Sequence, residues 1–110
     1  MPVATAEKVR ALSKDLGSQR KLAALLDVSP AQVTRWIRGS GIDALNADRV
    51  DLLEVVMSQL LRLYTPDVAA MWLRGFNPHL RDRRPIDVIR HGQAVEVLDA
   101  IQAARAGSYA

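Results

Sequence analysis

The side chains best placed to do chemistry in this chain are polar and lie between residues 19 and 38. Gln32, Thr34, Arg35 and Arg38 follow a Ser-Pro helix start, together with the small Ala31, and Gln19 opens the segment before it. A glutamine amide can pair bidentately with adenine and an arginine guanidinium with guanine. A residue at the start of a helix can hold a phosphate with its side chain or backbone N–H. A catalytic set is harder to assemble. The chain has no cysteine, which removes thiolate chemistry and disulfides, and its two histidines, His79 and His91, lack a third ligand nearby. There is no glycine-rich phosphate loop, no G-x-S-x-G elbow and no paired-carboxylate pattern. Asp82 and Asp87 sit among arginines and are expected to form surface ion pairs. His91, directly before Gly92, is expected to cap a helix C-terminus. No enzyme activity, cofactor or metal is expected.

Helices must position these groups. Thr5 to Leu16 carries Val9, Leu12 and Leu16 on one stripe and is closed by Gly17 in the left-handed conformation. Ser18 caps Gln19 to Leu26, whose inner face is Leu22, Ala23 and Leu26. Ser29, Pro30 and Gln32 together mark a capped start for a helix running to Arg38 and ended by Gly39. Ser40 to Leu45 reads as a connection, after which Asn46 caps a longer helix from Ala47 to about Tyr64. Its apolar face is so wide that burial on more than one side is expected. Thr65-Pro66 starts a helix ending near Arg74-Gly75, and Phe76 to Arg84 reads as irregular. Pro85 opens a short helix closed by Gly92, and Gln93 to Ala106 forms the last one. No segment alternates as a strand would. The expected class is all-α, with an N-terminal lobe over residues 1–41 packed on a C-terminal lobe over residues 45–110.

Composition agrees with this class. Apolar residues make up 49% of the 110-residue chain and charged residues 25%, a balance that folds into one small unit rather than staying disordered. Aromatics are only 5%, which favours packed helices over a β-sandwich. No apolar run of about 18 residues and no charged-then-apolar leader is present, so no membrane association is expected and a cytoplasmic location is. The net charge of +3 is unevenly spread. Residues 1–40 hold seven Lys/Arg against three Asp/Glu, residues 41–73 two against five, and residues 74–110 six against four. A basic first lobe beside an acidic middle is the polarity expected if the first lobe alone meets a polyanion.

Gln19 to Gly39 combines two short helices, a tight turn and an exposed Gln/Arg face, the arrangement of a helix-turn-helix. Leu22, Ala23 and Leu26 would meet Val33, Trp36 and Ile37, with Val28 at the corner. A plain packing hairpin is the alternative. The Gln-x-x-Leu-Ala spacing and the Val-Ser-x-x-x-Val-x-x-Trp pattern resemble the Xre/Cro-type repressors. Asp27 departs from that pattern, which usually has glycine in the turn, but aspartate tolerates a left-handed backbone better than most residues.

Residues 72 to 92, WLRGFNPHLRDRRPIDVIRHG, read by residue type alone as a solvated arginine-rich loop beside a buried tryptophan. Trp72-Leu73, Asn77-Pro78, Leu80, Pro85, Asp87, Ile89 and Gly92, however, resemble the toxin-binding domain of the Xre–MbcA–ParS antitoxin family over roughly residues 45–110. The preceding helix-turn-helix stands in the expected order. The resemblance implies an antitoxin that binds and silences a RES-domain, NAD-degrading toxin encoded nearby and binds its own promoter DNA. It implies toxin contacts at Trp72, Arg74, Asn77, Pro78 and Leu80. It also implies a C-terminal tail of Gly107, Ser108, Tyr109 and Ala110 over the toxin's NAD pocket. There Tyr109 would fill an aromatic-accepting site and the terminal carboxylate would meet cationic groups. A stand-alone repressor with a C-terminal dimerisation lobe is the other reading. A homodimer is expected in either case, since paired half-sites need two recognition helices, and a toxin–antitoxin hetero-oligomer in the first.

Overall fold

The structure, a computed structural model, describes residues 4–107. The order is α1 (Thr5–Leu16), α2 (Gln19–Leu26), α3 (Pro30–Ile37), α4 (Ala44–Leu60), α5 (Pro66–Arg74), a 3₁₀ turn (Pro78–Leu80), α6 (Pro85–Arg90) and α7 (Ala94–Gly107). The fold is all-α. Among the described residues a lone antiparallel bridge joins Asn77 to Arg83 and no strand forms. No helix of the described residues is long and apolar enough to cross a membrane.

Local chemistry sets most boundaries. Gly17 closes α1 at φ 103°, a region that a Cβ disfavours. Ser18 Oγ accepts from the Lys21 N–H at 3.1 Å, capping α2. Ser29 and Gln32 form a reciprocal capping box with Pro30 in the first turn of α3. Asp27 occupies the left-handed position at φ 57°, as the aspartate-for-glycine departure requires.

The largest differences from expectation are at the two ends of α4. Asp43, not Asn46, caps α4: its carboxylate accepts from the Asn46 backbone N–H at 3.1 Å and from Asn46 Nδ2 at 2.8 Å. An ionised carboxylate is the stronger partner for the exposed N–H groups of a helix start, and Asn46 is buried in the first turn instead. Asn46 donation holds the Asp43 carboxyl below its ordinary pKa. α4 ends at Leu60 rather than near Tyr64. Pro66 forces Thr65 into an extended conformation (ψ 160°), so the chain must leave the helix beforehand, and residues 61–64 make the turn. Thr65 makes no side-chain cap bond, leaving Pro66 as the start signal of α5.

One continuous core runs through all seven α-helices, from Val9 and Leu12 through Leu22, Trp36, Leu53 and Leu73 to Ile89 and Ile101. α4 is its axis, packing against α1, α6 and α7, which explains the width of its apolar face. Val50, Leu53, Val56, Met57 and Leu60 are all buried on it.

Candidate nucleic-acid and protein-binding surfaces

α2 and α3 meet through Leu22, Ala23 and Leu26 on one side and Val33 and Trp36 on the other, all buried, with Val28 and Ile37 packed at the edge. The small Ala23 lets the helices cross closely. The Arg10 guanidinium of α1 donates to the Ile37 carbonyl at 3.1 Å, satisfying an orphan acceptor at the end of α3 and fixing its orientation. Sequence reasoning passed over Arg10, whose signal was only its place opposite the apolar stripe of α1.

The predicted base-reading residues divide into free and engaged side chains. Ala31, Arg35 and Arg38 are exposed, and neither arginine side chain has a hydrogen-bond or ion-pair partner among the described residues. Gln32 is engaged: its Oε1 accepts from the Ser29 N–H at 3.1 Å within the capping box. A bidentate pair with adenine needs both ends of that amide, so it requires the box to open. Thr34 Oγ1 donates to Gln19 Oε1 at 2.8 Å and lies 3.1 Å from the Pro30 carbonyl. This bond ties the start of α2 to α3 and leaves the Gln19 Nε2 as its remaining donor group.

The residues expected to meet a protein partner also divide. Arg74 and Pro78 are exposed, while Trp72 and Asn77 are half-buried, Trp72 against the core. Asn77 holds the turn: its Oδ1 accepts from the His79 N–H at 2.9 Å and its carbonyl accepts from the Leu80 and Asp82 N–H groups. Two successive left-handed residues, Arg81 and Asp82, complete this turn. Leu80 is a correction. It is 0% exposed and belongs to the core, because the 3₁₀ turn folds it inward against α7. The arginine-rich stretch is likewise less available than its composition implies. Arg83 bonds the Leu80 carbonyl at 2.8 Å and pairs with Glu96, and Arg84 pairs with Asp87. Gly107 is the last residue of α7, and Ser108, Tyr109 and Ala110 lie outside the described residues.

The surface instead offers apolar groups that the sequence reading did not single out. Met71 is 63% exposed and Phe76 77%, with Val68 one helical turn before Met71 on the same face of α5. Phe76 follows two residues after the end of α5, and large apolar side chains this exposed within nine residues of chain are the composition of an interface core rather than of a solvated helix. Phe76 is the chain's one phenylalanine, standing between Gly75 and Asn77 with no periodicity to say which way it points.

Asp87 organises the adjoining corner. Its carboxylate takes Arg84 Nε at 2.8 Å and Arg84 Nη2 at 2.9 Å, and Arg90 Nη2 at 2.6 Å. Arg84 in turn holds the Asp87 carboxyl below the usual carboxylate range, outweighing the opposing effect of burial. Arg90 also reaches Asp27 at 3.9 Å, and its carbonyl accepts from Arg49 Nε at 3.0 Å. His91 caps α6, with its ring Nδ1 at 2.7 Å from the Asp87 carbonyl. A carboxylate whose folded pKa is depressed stabilises the fold above its unfolded pKa and loses that contribution as pH falls through the folded value. Thermal melting should therefore show a stability loss below about pH 4. Asp87→Asn should flatten that loss and cost no more than about 1 kcal/mol at neutral pH, because the pair is partly solvated. A pH profile identical in both proteins would refute this role for Asp87.

Comparison with known proteins places this arrangement. Residues 59–107 match the family model of the antitoxin Xre/MbcA/ParS C-terminal toxin-binding domain. The chain is 33% identical over 86 residues to the mycobacterial cidal antitoxin MbcA of Mycobacterium tuberculosis, and likewise to that of Mycobacterium bovis, covering 77% of this chain and 76% of each relative. Its fold matches a chain in the crystal structure of the M. tuberculosis MbcT–MbcA toxin–antitoxin complex with a TM-score of 0.77 at 30% identity, covering 96% of this chain and 97% of that one. With the matched region spanning the exposed α5 stripe, the Asn77 turn and the Asp87 corner, the chain belongs to the Xre/MbcA/ParS family of toxin–antitoxin antitoxins.

Proposed function

We propose that this protein is the antitoxin of a RES-domain, NAD-degrading toxin, which it inhibits by direct binding, and that it represses its own promoter. The observation that carries this is the near full-length match to a chain of a toxin–antitoxin complex, in a protein that exposes Met71 and Phe76 on the region matched by the toxin-binding family model. Residues 45–110 are the toxin-binding part. Met71, Trp72, Arg74, Phe76, Asn77 and Pro78 form the docking surface, and Gly107 to Ala110 reach over the NAD pocket. Residues 1–41 are the DNA-binding part, acting in the cytoplasm as a homodimer and within a toxin–antitoxin hetero-oligomer.

The test pairs the purified antitoxin with the product of the neighbouring gene. Removing Ser108 to Ala110 should restore NAD consumption by the toxin while leaving promoter affinity unchanged within about twofold. Full protection by the truncated protein would remove the tail from the mechanism. A neighbour that carries no such toxin would leave a stand-alone repressor as the better reading.

Promoter binding has its own test at Arg35, the exposed guanidinium on α3 without an internal partner. Arg35→Ala should cost about 1–3 kcal/mol on the specific site and relax preference at one base pair. An equal loss on random DNA would make Arg35 a phosphate contact instead.

A further inference from the structure

A groove of about 410 Å³ opens between α2 and the corner where α5 meets α6. Its walls carry four cations from three elements: Lys21 on α2, Arg74 at the end of α5, and Arg84 and Arg90 at the two ends of α6. Asp27 is the one acid of the lining, and Leu25 and Ile86 are its buried apolar floor. The side chains of Lys21 and Arg74 have no hydrogen-bond or ion-pair partner among the described residues. Arg84 and Arg90 are held by the shared Asp87 carboxylate, which itself does not line the groove. Four positive charges against Asp27 and Asp87 leave an excess of two, concentrated in a recess the size of a small-molecule site.

The groove is separate from the DNA-reading face. Gln19, tied to α3 through Thr34, and Lys21 are two residues apart on α2, which sets them about 200° apart around the helix. An anion in the groove therefore lies on the flank turned away from the recognition helix. One carboxylate would neutralise half of the excess. A phosphoanhydride carries its charge on two adjacent phosphorus centres, is compact enough for the recess, and accepts from the N–H groups that Asp87 leaves unused on two guanidinium groups it already orients.

We propose that this groove binds a phosphoanhydride, either pyrophosphate or the diphosphate of a nucleotide. The ligand bridges Lys21 on α2 to Arg84 and Arg90 on α6, where Arg90 already reaches Asp27. It thereby ties the helix-turn-helix to the segment that follows the α5 stripe, and it stabilises the fold by mass action.

Isothermal titration calorimetry of the full chain at low salt, with pyrophosphate, ADP, AMP and orthophosphate in turn, tests this. Pyrophosphate and ADP should bind at least about tenfold more tightly than AMP or orthophosphate, and added salt should weaken them. ADP tighter than pyrophosphate assigns a nucleotide as the ligand; equal affinities assign the diphosphate moiety alone. Lys21→Glu should weaken binding about tenfold or more, whereas Lys14→Glu, the same charge change on α1 outside the groove, should not. Thermal melts confirm that both variants are folded. No binding by any phosphate would overturn the proposal, as would equal losses in the two variants. Orthophosphate or AMP binding as tightly as pyrophosphate would overturn it as well.

Discussion

Phe76→Asp should weaken capture of the toxin by about 30-fold or more while the antitoxin alone melts where the wild type does. Phe76 is 77% exposed, so its ring stabilises the isolated chain little, and an aspartate there is solvated at small cost. In the proposed complex the same ring is the most exposed large apolar group of the described residues, ahead of Met71. Truncating or charging such an anchor costs about 2–4 kcal/mol, roughly 30- to 800-fold in Kd. Met71→Asp should act in the same direction with a smaller loss, since methionine is flexible and its neighbours can partly repack. Pull-down of the toxin with equilibrium titration measures this, and a melting curve serves as the control. Unchanged toxin affinity in the Phe76→Asp variant would move the docking surface away from the end of α5.

Leu80→Ala should give the opposite signature. The side chain is fully buried where the 3₁₀ turn meets α7, and its loss removes transfer energy and leaves a cavity. A cost of about 2–5 kcal/mol is expected, which is a large share of the roughly 5–15 kcal/mol that holds a small domain folded. Urea denaturation should show a lower midpoint with unchanged slope. Any loss of toxin binding should follow the folded fraction and be recovered at lower temperature. A Leu80→Ala protein that is as stable as wild type yet fails to bind toxin would return Leu80 to the contact surface. The two substitutions lie four residues apart, so together they separate packing from recognition within one short segment.

The legible features were those written in local backbone chemistry. Gly17, the Ser18 cap and the Ser29-Pro30-Gln32 box act within a few residues and need no partner, so α1, α2 and the start of α3 were predictable to the residue. Asp27 was readable as a left-handed turn residue for the same reason. The family resemblance rested on a second kind of local pattern, the spacing from Trp72 to Gly92, and the comparisons bear out the family.

Where two local solutions compete, residue type does not choose. Asp43 and Asn46 are both good caps three residues apart, and the choice fell to Asp43 because the fold buries Asn46 and leaves Leu45 in solvent. Gln32 suits a capping box and adenine recognition equally, and α3 in the free protein uses it for the box. Between residues 76 and 84 there is no periodicity, so nothing in the string separates the exposed Phe76 from the buried Leu80. Nor does it separate the unpaired Arg74 from the tied Arg83. By itself, then, the sequence determined the helix count, the turns from Gly17 to Pro30 and the family, since these depend on contacts within one or two turns of chain. The tertiary structure alone decided which apolar side chains stand exposed and which four cations line one groove. Burial and charge convergence arise from residues far apart in the chain, and only packing brings those together.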